Sequence, residues 1–168
     1  MKNTVYLSLG ANLGDREKNL QEAVRRLGEL GRVTAVSGMY ETEPVDVGGE
    51  QPWYLNSAVA LETELGPKEL LTRVLALEQA MGRRRTELKA PRTVDIDIVL
   101  FGDQIVHTEG LSVPHPRMHL RRFVLEPLAE IAPEARHPVL KRSVRELLDA
   151  LPPAGEVVRR LSGKPELG

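Results

Sequence analysis

Two aspartates within an apolar segment are the residues of this chain best suited to chemistry. Asp95 and Asp97 alternate with three aliphatic residues, Val94, Ile96 and Ile98. Because strand side chains alternate between faces, both carboxylates point to one side and the aliphatic side chains to the other. The aspartate Cα atoms then lie about 6 to 7 Å apart, close enough for both carboxylates to bind one or two hard cations. The spacing therefore predicts a site for Mg²⁺, whose remaining ligands are substrate phosphates and water.

The simplest alternative is the solvated face of an amphipathic strand, which a short Asp-x-Asp motif usually is. Two features argue against that alternative. Strands disfavour aspartate, and two like charges on one face repel each other unless a cation offsets them. Basic residues also precede the acid pair, namely Arg83, Arg84, Arg85, Lys89 and Arg92. Carboxylates beside such a cluster indicate a site for a divalent metal and phosphate.

Composition limits the class of protein. The chain has 168 residues, 41% hydrophobic and 28% charged, which predicts one soluble globular domain over residues 1–168. A net charge of −1 gives no global field for nucleic acid, so the basic cluster suits a small anion. The absence of cysteine excludes disulfides and thiolate chemistry. With no signal-like or membrane-length apolar segment, we expect a cytoplasmic protein that binds neither membrane nor nucleic acid.

Hydrophobic periodicity predicts the elements that position these residues. Strands are expected over residues 4–9, 33–40, 55–65 and 93–101, helices over residues 15–31, 66–82, 121–131 and from residue 143, and a loop over residues 43–52. Asp15 is the expected N-cap of the first helix, Gly82 the expected C-cap of the second, and Ser143 with Glu146 has the spacing of a capping box. The apolar positions at helical spacing are Leu20, Ala23, Val24, Leu27 and Leu30 in the first helix and Leu70, Leu71, Val74 and Leu75 in the second.

A tight reversal at residues 102–104 predicts a hairpin with a strand over residues 105–107. Pro127 predicts strain or an end in the third helix. The order of elements predicts an α+β fold, a ferredoxin-like split βαβ sandwich with a mainly antiparallel sheet flanked by helices.

The few aromatic residues mark a second candidate site. Trp53 and Tyr54 lie at a loop-to-strand junction next to Asn56. An aromatic ring there can stack on a planar heterocycle while the amide pairs with its edge. A packing role at the start of the strand explains the aromatics equally well.

The histidines and the one candidate phosphate-binding loop give weaker indications of a functional site. His115 and His119 have the spacing of a helical metal pair, but Pro116 interrupts it and no third ligand is evident. A hydrogen bond from His115 to phosphate is favoured over that pair, with a loop histidine satisfied by backbone or water as the alternative. Gly163-Lys164 lacks the spacing of a phosphate-binding loop, so phosphate must be bound by side chains and metal.

Four segments stand out together, namely GANLGD at residues 10–15, QPWYLN at 51–56, PRTVDIDIVLFG at 91–102 and VPH at 113–115. They resemble the 6-hydroxymethyl-7,8-dihydropterin pyrophosphokinase family of folate biosynthesis. Their order and approximate spacing are those of the family, and the similarity extends over residues 4–150. The resemblance implies a monomer that transfers the β,γ-pyrophosphoryl group of ATP to the hydroxymethyl oxygen of the pterin and releases AMP.

The resemblance also implies roles for individual residues. Asp95 and Asp97 would hold two Mg²⁺ ions and would be catalytic together with Arg83 and Arg92. The implied ATP-binding residues are Glu78, Arg83, Arg85, Arg92, Ile98, Ser112, His115 and Arg121. The implied pterin-binding residues are Thr42, Pro44, Val45, Tyr54, Asn56 and Phe123, with the two aromatic rings stacking on either face of the pterin.

Two other classes of protein share this type of fold. RNA-recognition domains present aromatic residues on their central strands, where this chain has acids. A non-catalytic nucleotide or small-molecule sensor needs a pocket but no paired metal-binding acids. Formation of AMP that depends on Mg²⁺ distinguishes the enzyme from the sensor. The segment over residues 83–90 departs most from the family, because it is shorter, lacks an aromatic and has Ala90 where glycine is common.

Overall fold

The computed structural model describes residues 2–11, 15–42, 53–82, 94–152 and 158–161. Along the chain the elements are β1 (Asn3–Ala11), α1 (Arg16–Leu27), β2 (Arg32–Val36), β3 (Tyr40–Thr42), β4 (Tyr54–Thr63), α2 (Pro67–Ala80), β5 (Asp95–Phe101), β6 (Val106–Thr108), β7 (Leu111–Val113), a 3₁₀ helix (Met118–Leu120), α3 (Arg122–Ile131), α4 (Val144–Asp149) and β8 (Val158–Arg160). None of the helices within these ranges is long and apolar enough to cross a membrane.

The main sheet is antiparallel and has the strand order β5-β1-β4-β3-β8. β2 pairs with the half of β4 that β3 leaves open, so the two short strands follow each other along one edge. The chain therefore contains two strand–helix–strand units that interleave in the sheet. The first consists of β1, α1 and the edge strands β2 and β3, and the second of β4, α2 and β5. This arrangement confirms the predicted ferredoxin-like sandwich.

The two faces of the sheet bury different hydrophobic clusters. On the first, here called the α1/α2 face, alternate residues of β1 pack against the apolar stripes of both helices. The residues include Val5, Leu7, Leu9, Leu20, Ala23, Val24, Leu27, Leu70 and Val74. On the second, here called the α3 face, side chains of α3 and α4 pack against the sheet, among them Val124, Leu125, Leu128 and Leu147. The predicted stripe of α1 is confirmed as core.

A β-bulge in β5 divides this strand into two parts. Tyr6 of β1 pairs with Leu100, and the next residue, Leu7, pairs with Ile98, so Val99 is an extra residue. Ile98 belongs to the cluster of the α1/α2 face, whereas both Val99 and Leu100 belong to that of the α3 face. A bulge changes the phase of side-chain alternation. The end of β5 that carries the aspartates thereby exposes its polar residues on the α3 face, while the other end buries apolar ones there.

Several predicted boundaries are confirmed by local contacts. Asp15 caps α1 by accepting a hydrogen bond of 3.1 Å from the backbone N of Lys18. Gly66 is the N-cap of α2 with proline in its first turn, and Gly82 follows its end with φ of 117°. Ser143 and Glu146 form the reciprocal capping box predicted for α4.

Other boundaries differ from the predictions. α1 ends at Leu27 rather than at Gly31, and a Cβ at Gly31 would overlap the carbonyl oxygen of Glu62 where the chain passes β4. The extended segment over residues 33–40 is divided between β2 and β3. α3 continues through Pro127 to Ile131, because its buried face packs on the sheet. In α2, helical spacing predicts that Leu75 is part of the core, but this residue is 42% exposed. Leu77 is buried instead.

The predicted hairpin is wrong in its pairing. β6 pairs with β7 rather than with β5, and the turn lies at Gly110, whose φ is 83°. A positive φ favours glycine, so this turn has a local cause in the sequence. The loop predicted over residues 43–52 lies outside the described residues.

Candidate active site

The acid pair lies on the exposed part of the α3 face. Asp95 is opposite Gly10 of β1, and Asp97 is opposite Ser8. Asp95 is partly buried and Asp97 is exposed. Their aliphatic neighbours Val94, Ile96 and Ile98 are all buried in the cluster of the α1/α2 face. The structure thus confirms the alternation that the sequence predicts, with two carboxylates on one face and the core on the other.

Glu78 of α2 fixes the backbone between the two aspartates. Its Oε2 atom accepts a hydrogen bond of 2.8 Å from the backbone N of Ile96, and the residue is 4% exposed. β5 is the outermost strand on this side of the sheet. The carboxylate therefore binds an amide of the strand edge that carries the acid pair. Its implied contact with ATP stays a prediction.

Gly10 keeps open the space between the acid pair and a second group of polar residues. It pairs with Asp95 on one side and with Asn56 of β4 on the other. A Cβ at this position would lie 2.9 Å from Nδ2 of Asn56 and 4.0 Å from Cδ1 of Tyr54. Because neighbouring strands are about 4.8 Å apart, the Cα atoms of Asp95 and Asn56 are separated by about 10 Å. Two ligands can therefore lie side by side across β1.

Asn56 is buried and its amide is oriented by two contacts. Its Oδ1 accepts a hydrogen bond of 2.7 Å from the hydroxyl of Thr42, and its Nδ2 donates one of 3.4 Å to the carbonyl of Leu9. Both Asn56 and Thr42 are 5% exposed. Tyr54 is opposite Thr42 and is 37% exposed. A fixed amide next to an accessible aromatic ring suits a planar heterocycle.

His115 lies close to the acid pair. Its backbone N donates a hydrogen bond of 2.9 Å to the carbonyl of Val99, the bulge residue of β5. Burial lowers the pKa of His115; the charge of Asp97 acts to raise that pKa, and those of Arg121 and Arg117 act to lower it. Its Nδ1 accepts a hydrogen bond of 3.2 Å from the backbone N of Arg117. Because Nδ1 accepts this hydrogen bond, the neutral ring carries its proton on Nε2, which can donate to an anion.

Some of the other predicted residues lie within the described ranges and some do not. Arg121 has its Cζ atom 5.5 Å from the ring centroid of Phe123, at the start of α3. Ser112 lies in β7 and is partly buried, and the side chain of Ile98 belongs to the core, which leaves only its backbone for a ligand. Arg83, Arg85, Arg92, Pro44 and Val45 lie outside the described residues.

The acid pair fits a magnesium site. Among the residues that the structure describes, no three or more His, Asp or Glu side chains converge as a metal site. Two carboxylates are nevertheless the donor set that Mg²⁺ uses when phosphates and water complete its octahedron. His119, which the sequence places four residues after His115, lies instead beside His137, with 6.3 Å between ring centroids.

Two positions of the site carry no chemical signal of their own in the sequence. Gly10 acts through the side chain that it lacks, and Glu78 acts on a backbone amide of a strand that is distant in sequence. The described geometry as a whole brings two carboxylates, a fixed amide and an accessible aromatic ring to one face of the sheet. That arrangement suits an enzyme that transfers a phosphoryl group to a cyclic small molecule.

Comparison with known proteins identifies the family. The family model described as 7,8-dihydro-6-hydroxymethylpterin-pyrophosphokinase (HPPK) matches residues 6–133. The 2-amino-4-hydroxy-6-hydroxymethyldihydropteridine pyrophosphokinase of Bacillus subtilis is 48% identical over 133 residues, which cover 78% of this chain and 79% of that protein. The protein of the same name from Pseudomonas aeruginosa is 42% identical over 162 residues, covering 95% and 97%. The chain therefore belongs to the HPPK family.

Some relatives are much longer than this chain. The folic acid synthesis protein fol1 of Schizosaccharomyces pombe is 41% identical over 152 residues, which cover 89% of this chain but 21% of that protein. A crystal structure of HPPK-DHPS from Plasmodium falciparum with pteroate superposes with a TM-score of 0.70 at 19% identity, covering 89% of this chain and 42% of that one. At that identity the superposition establishes the shared fold.

Proposed function

We propose that this chain transfers the pyrophosphoryl group of ATP to 6-hydroxymethyl-7,8-dihydropterin in folate biosynthesis, giving the pterin diphosphate and AMP. Membership of the HPPK family supports the reaction, and the names of the two bacterial relatives describe the same activity. The observation that supports it best is the shared row of Asp95, Gly10 and Asn56, which brings the acid pair and the fixed amide to one face of the sheet.

We infer that Asp95 and Asp97 hold two Mg²⁺ ions together with the triphosphate. Bound Mg²⁺ neutralises charge on the phosphate oxygens and acidifies the attacking hydroxyl. The two carboxylates supply the negative charge that keeps the ions at the edge of β5. Glu78 keeps the backbone of this edge in place from the opposite side.

The remaining residues orient the two substrates. The amide of Asn56, fixed by Thr42, pairs with the edge of the pterin, and Tyr54 stacks on the ring together with Phe123. His115 donates from Nε2 to a phosphate oxygen, and the Arg121 guanidinium binds the triphosphate. Arg83, Arg85 and Arg92 complete the charge on the phosphates, and Pro44 and Val45 complete the pterin pocket. These roles follow the family positions and remain predictions.

The proposal extends to the organisation of the molecule. A single domain over residues 1–168 is supported by the two hydrophobic clusters that cover opposite faces of one sheet in the described part of the chain. The monomeric state and the cytoplasmic location expected from the sequence stay predictions, as does the absence of nucleic-acid and membrane partners.

One assay tests the reaction. The protein is incubated with ATP, Mg²⁺ and 6-hydroxymethyl-7,8-dihydropterin, and AMP, ADP and pterin diphosphate are separated by chromatography. We expect equal amounts of AMP and pterin diphosphate, with neither product when the pterin or Mg²⁺ is left out. Formation of ADP would show a different transfer, and binding of both ligands without turnover would favour the sensor.

A further inference from the structure

A short C-terminal strand adjoins the proposed pterin pocket. β8 lies beyond residues 6–133 that the family model matches. It pairs with β3 so that Arg159 is opposite Glu41, and the backbone N of Leu161 extends the pairing with a hydrogen bond of 2.8 Å to the carbonyl of Met39. Thr42, which orients the amide of Asn56, lies at the end of the same strand β3. β8 is therefore placed to influence the pocket without contacting a ligand there.

Glu41 connects three separate segments at this edge. Its Oε2 atom accepts a hydrogen bond of 3.1 Å from Arg16 at the start of α1, and its Oε1 atom accepts one of 2.7 Å from Arg159 of β8. Arg16 also donates a hydrogen bond of 2.7 Å to the backbone carbonyl of Trp53, immediately before β4. The side chain of Glu41 is 18% exposed, so its ion pairs are less screened than those on the open surface.

Trp53 is held by the same group of residues. The Cζ atom of Arg159 lies 4.5 Å from the ring centroid of Trp53, within the range of a cation–π interaction. The Glu41 cluster, defined here as Arg16, Glu41, Trp53 and Arg159, thus fixes both the side chain and the backbone carbonyl of Trp53. The next residue is Tyr54, the accessible aromatic of the pocket.

The cluster lies behind the pocket. Glu41 alternates with Tyr40 and Thr42 along β3, so its side chain points to the face opposite the one that carries the hydroxyl of Thr42. The carboxylate consequently acts on the pocket only through the backbones of β3 and of the first residues of β4. Those two strand ends carry Thr42 and Tyr54 directly opposite each other.

We propose that Glu41 is a positioning residue for the pterin, which it serves by joining the C-terminal strand β8 and α1 to the strand ends that carry Thr42 and Tyr54. The inference rests on the proposed function, because it assumes that the pocket binds the pterin. It assigns a role in substrate affinity to β8, which the family match does not reach. In the proposed function ATP binds at the acid pair on the other side of β1, so its affinity should not depend on this cluster.

Two variants test the proposal, and a third serves as a matched control. Glu41→Gln removes the charge shared by Arg16 and Arg159, while Arg159→Lys keeps a cation but loses the planar group above Trp53. Glu22→Gln is the control, because Glu22 also accepts hydrogen bonds from two arginines, Arg25 and Arg26, but lies on α1 away from the pocket. Thermal melts establish that all three variants fold.

The first measurement compares the effect of Glu41→Gln on pterin binding with its effect on the KM for ATP. We expect Glu41→Gln to raise the pterin Kd, measured by calorimetry, and the pterin KM about fivefold, the size of effect that a partly screened ion-pair network supports. The KM for ATP and kcat should stay within about twofold, as expected when only ground-state pterin binding is weakened. Glu22→Gln should match the wild type. Equal changes for both substrates, or none for the pterin, would overturn the proposal.

The second measurement does not depend on activity. Trp53 is the only tryptophan of the chain, so tryptophan fluorescence reports on the Glu41 cluster alone. Both Glu41→Gln and Arg159→Lys should increase quenching of this fluorescence by acrylamide, and Glu22→Gln should not. Unchanged quenching would show that the cluster does not hold Trp53. If the wild type forms no AMP and binds no pterin, the proposed function itself fails, and that result is distinct from a failure confined to the variants.

Discussion

At the scale of single residues, the two aspartates bear most directly on the proposed transfer. Both project from the core towards the accessible part of the α3 face, so their removal should leave the packing of β5 intact. We expect Asp95→Ala and Asp97→Ala each to lower kcat by at least about 10²-fold, since charge stabilisation of this kind is worth that much or more in enzymes. The rate of AMP formation at saturating Mg²⁺ measures the loss.

A neighbouring acid provides the control for these variants. Asp103 is exposed in the turn that follows β5, on the same segment of chain. Asp103→Ala should keep both the melting temperature and the rate of the wild type. Near-normal AMP formation by either Asp95→Ala or Asp97→Ala would exclude the metal assignment.

Gly10 allows a steric prediction for the pterin side. The backbone of Gly10 needs no positive φ, so alanine is limited there by space alone. Its Cβ would displace the amide of Asn56, which Thr42 and Leu9 hold in place. We expect Gly10→Ala to raise the pterin KM about tenfold, corresponding to one disturbed buried hydrogen bond, with little change in ATP affinity. Steady-state kinetics with each substrate varied measure both effects.

Gly66→Ala is the matched control for this substitution. A Cβ at Gly66 has no heavy atom within 4 Å, apart from its chain neighbours. The control should retain the wild-type KM for the pterin. If Gly10→Ala behaved like Gly66→Ala, the pterin would not use the space beside Asn56.

At the scale of secondary-structure elements, the contact between α2 and β5 determines where the acid pair stands. Glu78→Ala would leave the buried backbone N of Ile96 without its carboxylate partner, which costs about 1–3 kcal/mol of unfolding free energy. Glu78→Gln keeps an acceptor oxygen and should lose less. Because Ile96 separates the two aspartates, Glu78→Ala should also lower kcat at temperatures where it is fully folded.

Urea denaturation and AMP formation test this coupling together. Ser143→Ala removes the N-cap of α4 and should cost about 1 kcal/mol of stability, far from the acid pair. It therefore separates loss of stability from loss of positioning. A Glu78→Ala variant with reduced stability but the wild-type kcat would show that α2 supports the fold without positioning the aspartates.

The same scale shows what the sequence predicts well. Alternation in β5 and the caps at Asp15 and Ser143 are confirmed, because each depends on residues within a few positions of one another. The pairing of β6 with β7 and the extra residue Val99 depend on which strand edges remain available, and short-range patterns do not specify that. β8 was not predicted, since three residues paired at an edge carry little periodicity.

In the candidate site too, local patterns predict some residues, whereas others depend on contacts between distant parts of the chain. Asp95 and Asp97 are predicted from their spacing alone. For Tyr54, which lies two residues before Asn56, the local sequence is compatible with either stacking on a ligand or packing, and only the family resemblance favours stacking. The roles proposed for Gly10 and Glu41 depend on long-range contacts, so the residues next to them in the sequence predict neither role. The arginines of residues 83–92 lie outside the described residues, and their roles remain predictions.

At the scale of the whole molecule, Glu130 connects the layer of α3 to the far edge of the sheet. Its carboxylate accepts hydrogen bonds from the backbone N of Gly38, the hydroxyl of Tyr40 and the guanidinium of Arg160. Burial acts to raise the pKa of Glu130, but the bonds from Arg160, Tyr40 and Gly38 outweigh it and lower that pKa. Burial, together with the neighbouring carboxylate, raises the pKa of Tyr40 to about 12. α3, β3 and β8 are thereby joined through one charged group.

The shifted pKa values of two histidines and of Tyr40 predict how stability depends on pH. Burial lowers the pKa of His115 and His137 below 6.5, so the unfolded chain takes up protons first and the unfolding free energy falls as the pH drops below about 6.5. The raised pKa of Tyr40 acts at the other end: the unfolded phenol ionises near pH 10 and the folded one near 12, so stability falls as the pH rises through that range. Stability should be greatest between about pH 7 and 9.

Urea denaturation at pH 5.5, 8 and 11 measures this profile, and Tyr40→Phe isolates its alkaline side. The variant loses the hydrogen bond to Glu130 and should be less stable at pH 8. Having no phenol at this position, it should lose less further stability between pH 8 and 11 than the wild type does. In the wild type, absorbance at 295 nm should show a tyrosine that ionises near pH 12, and Tyr40→Phe should remove that step. The same alkaline loss in both proteins would show that the network around Glu130 does not control stability at high pH.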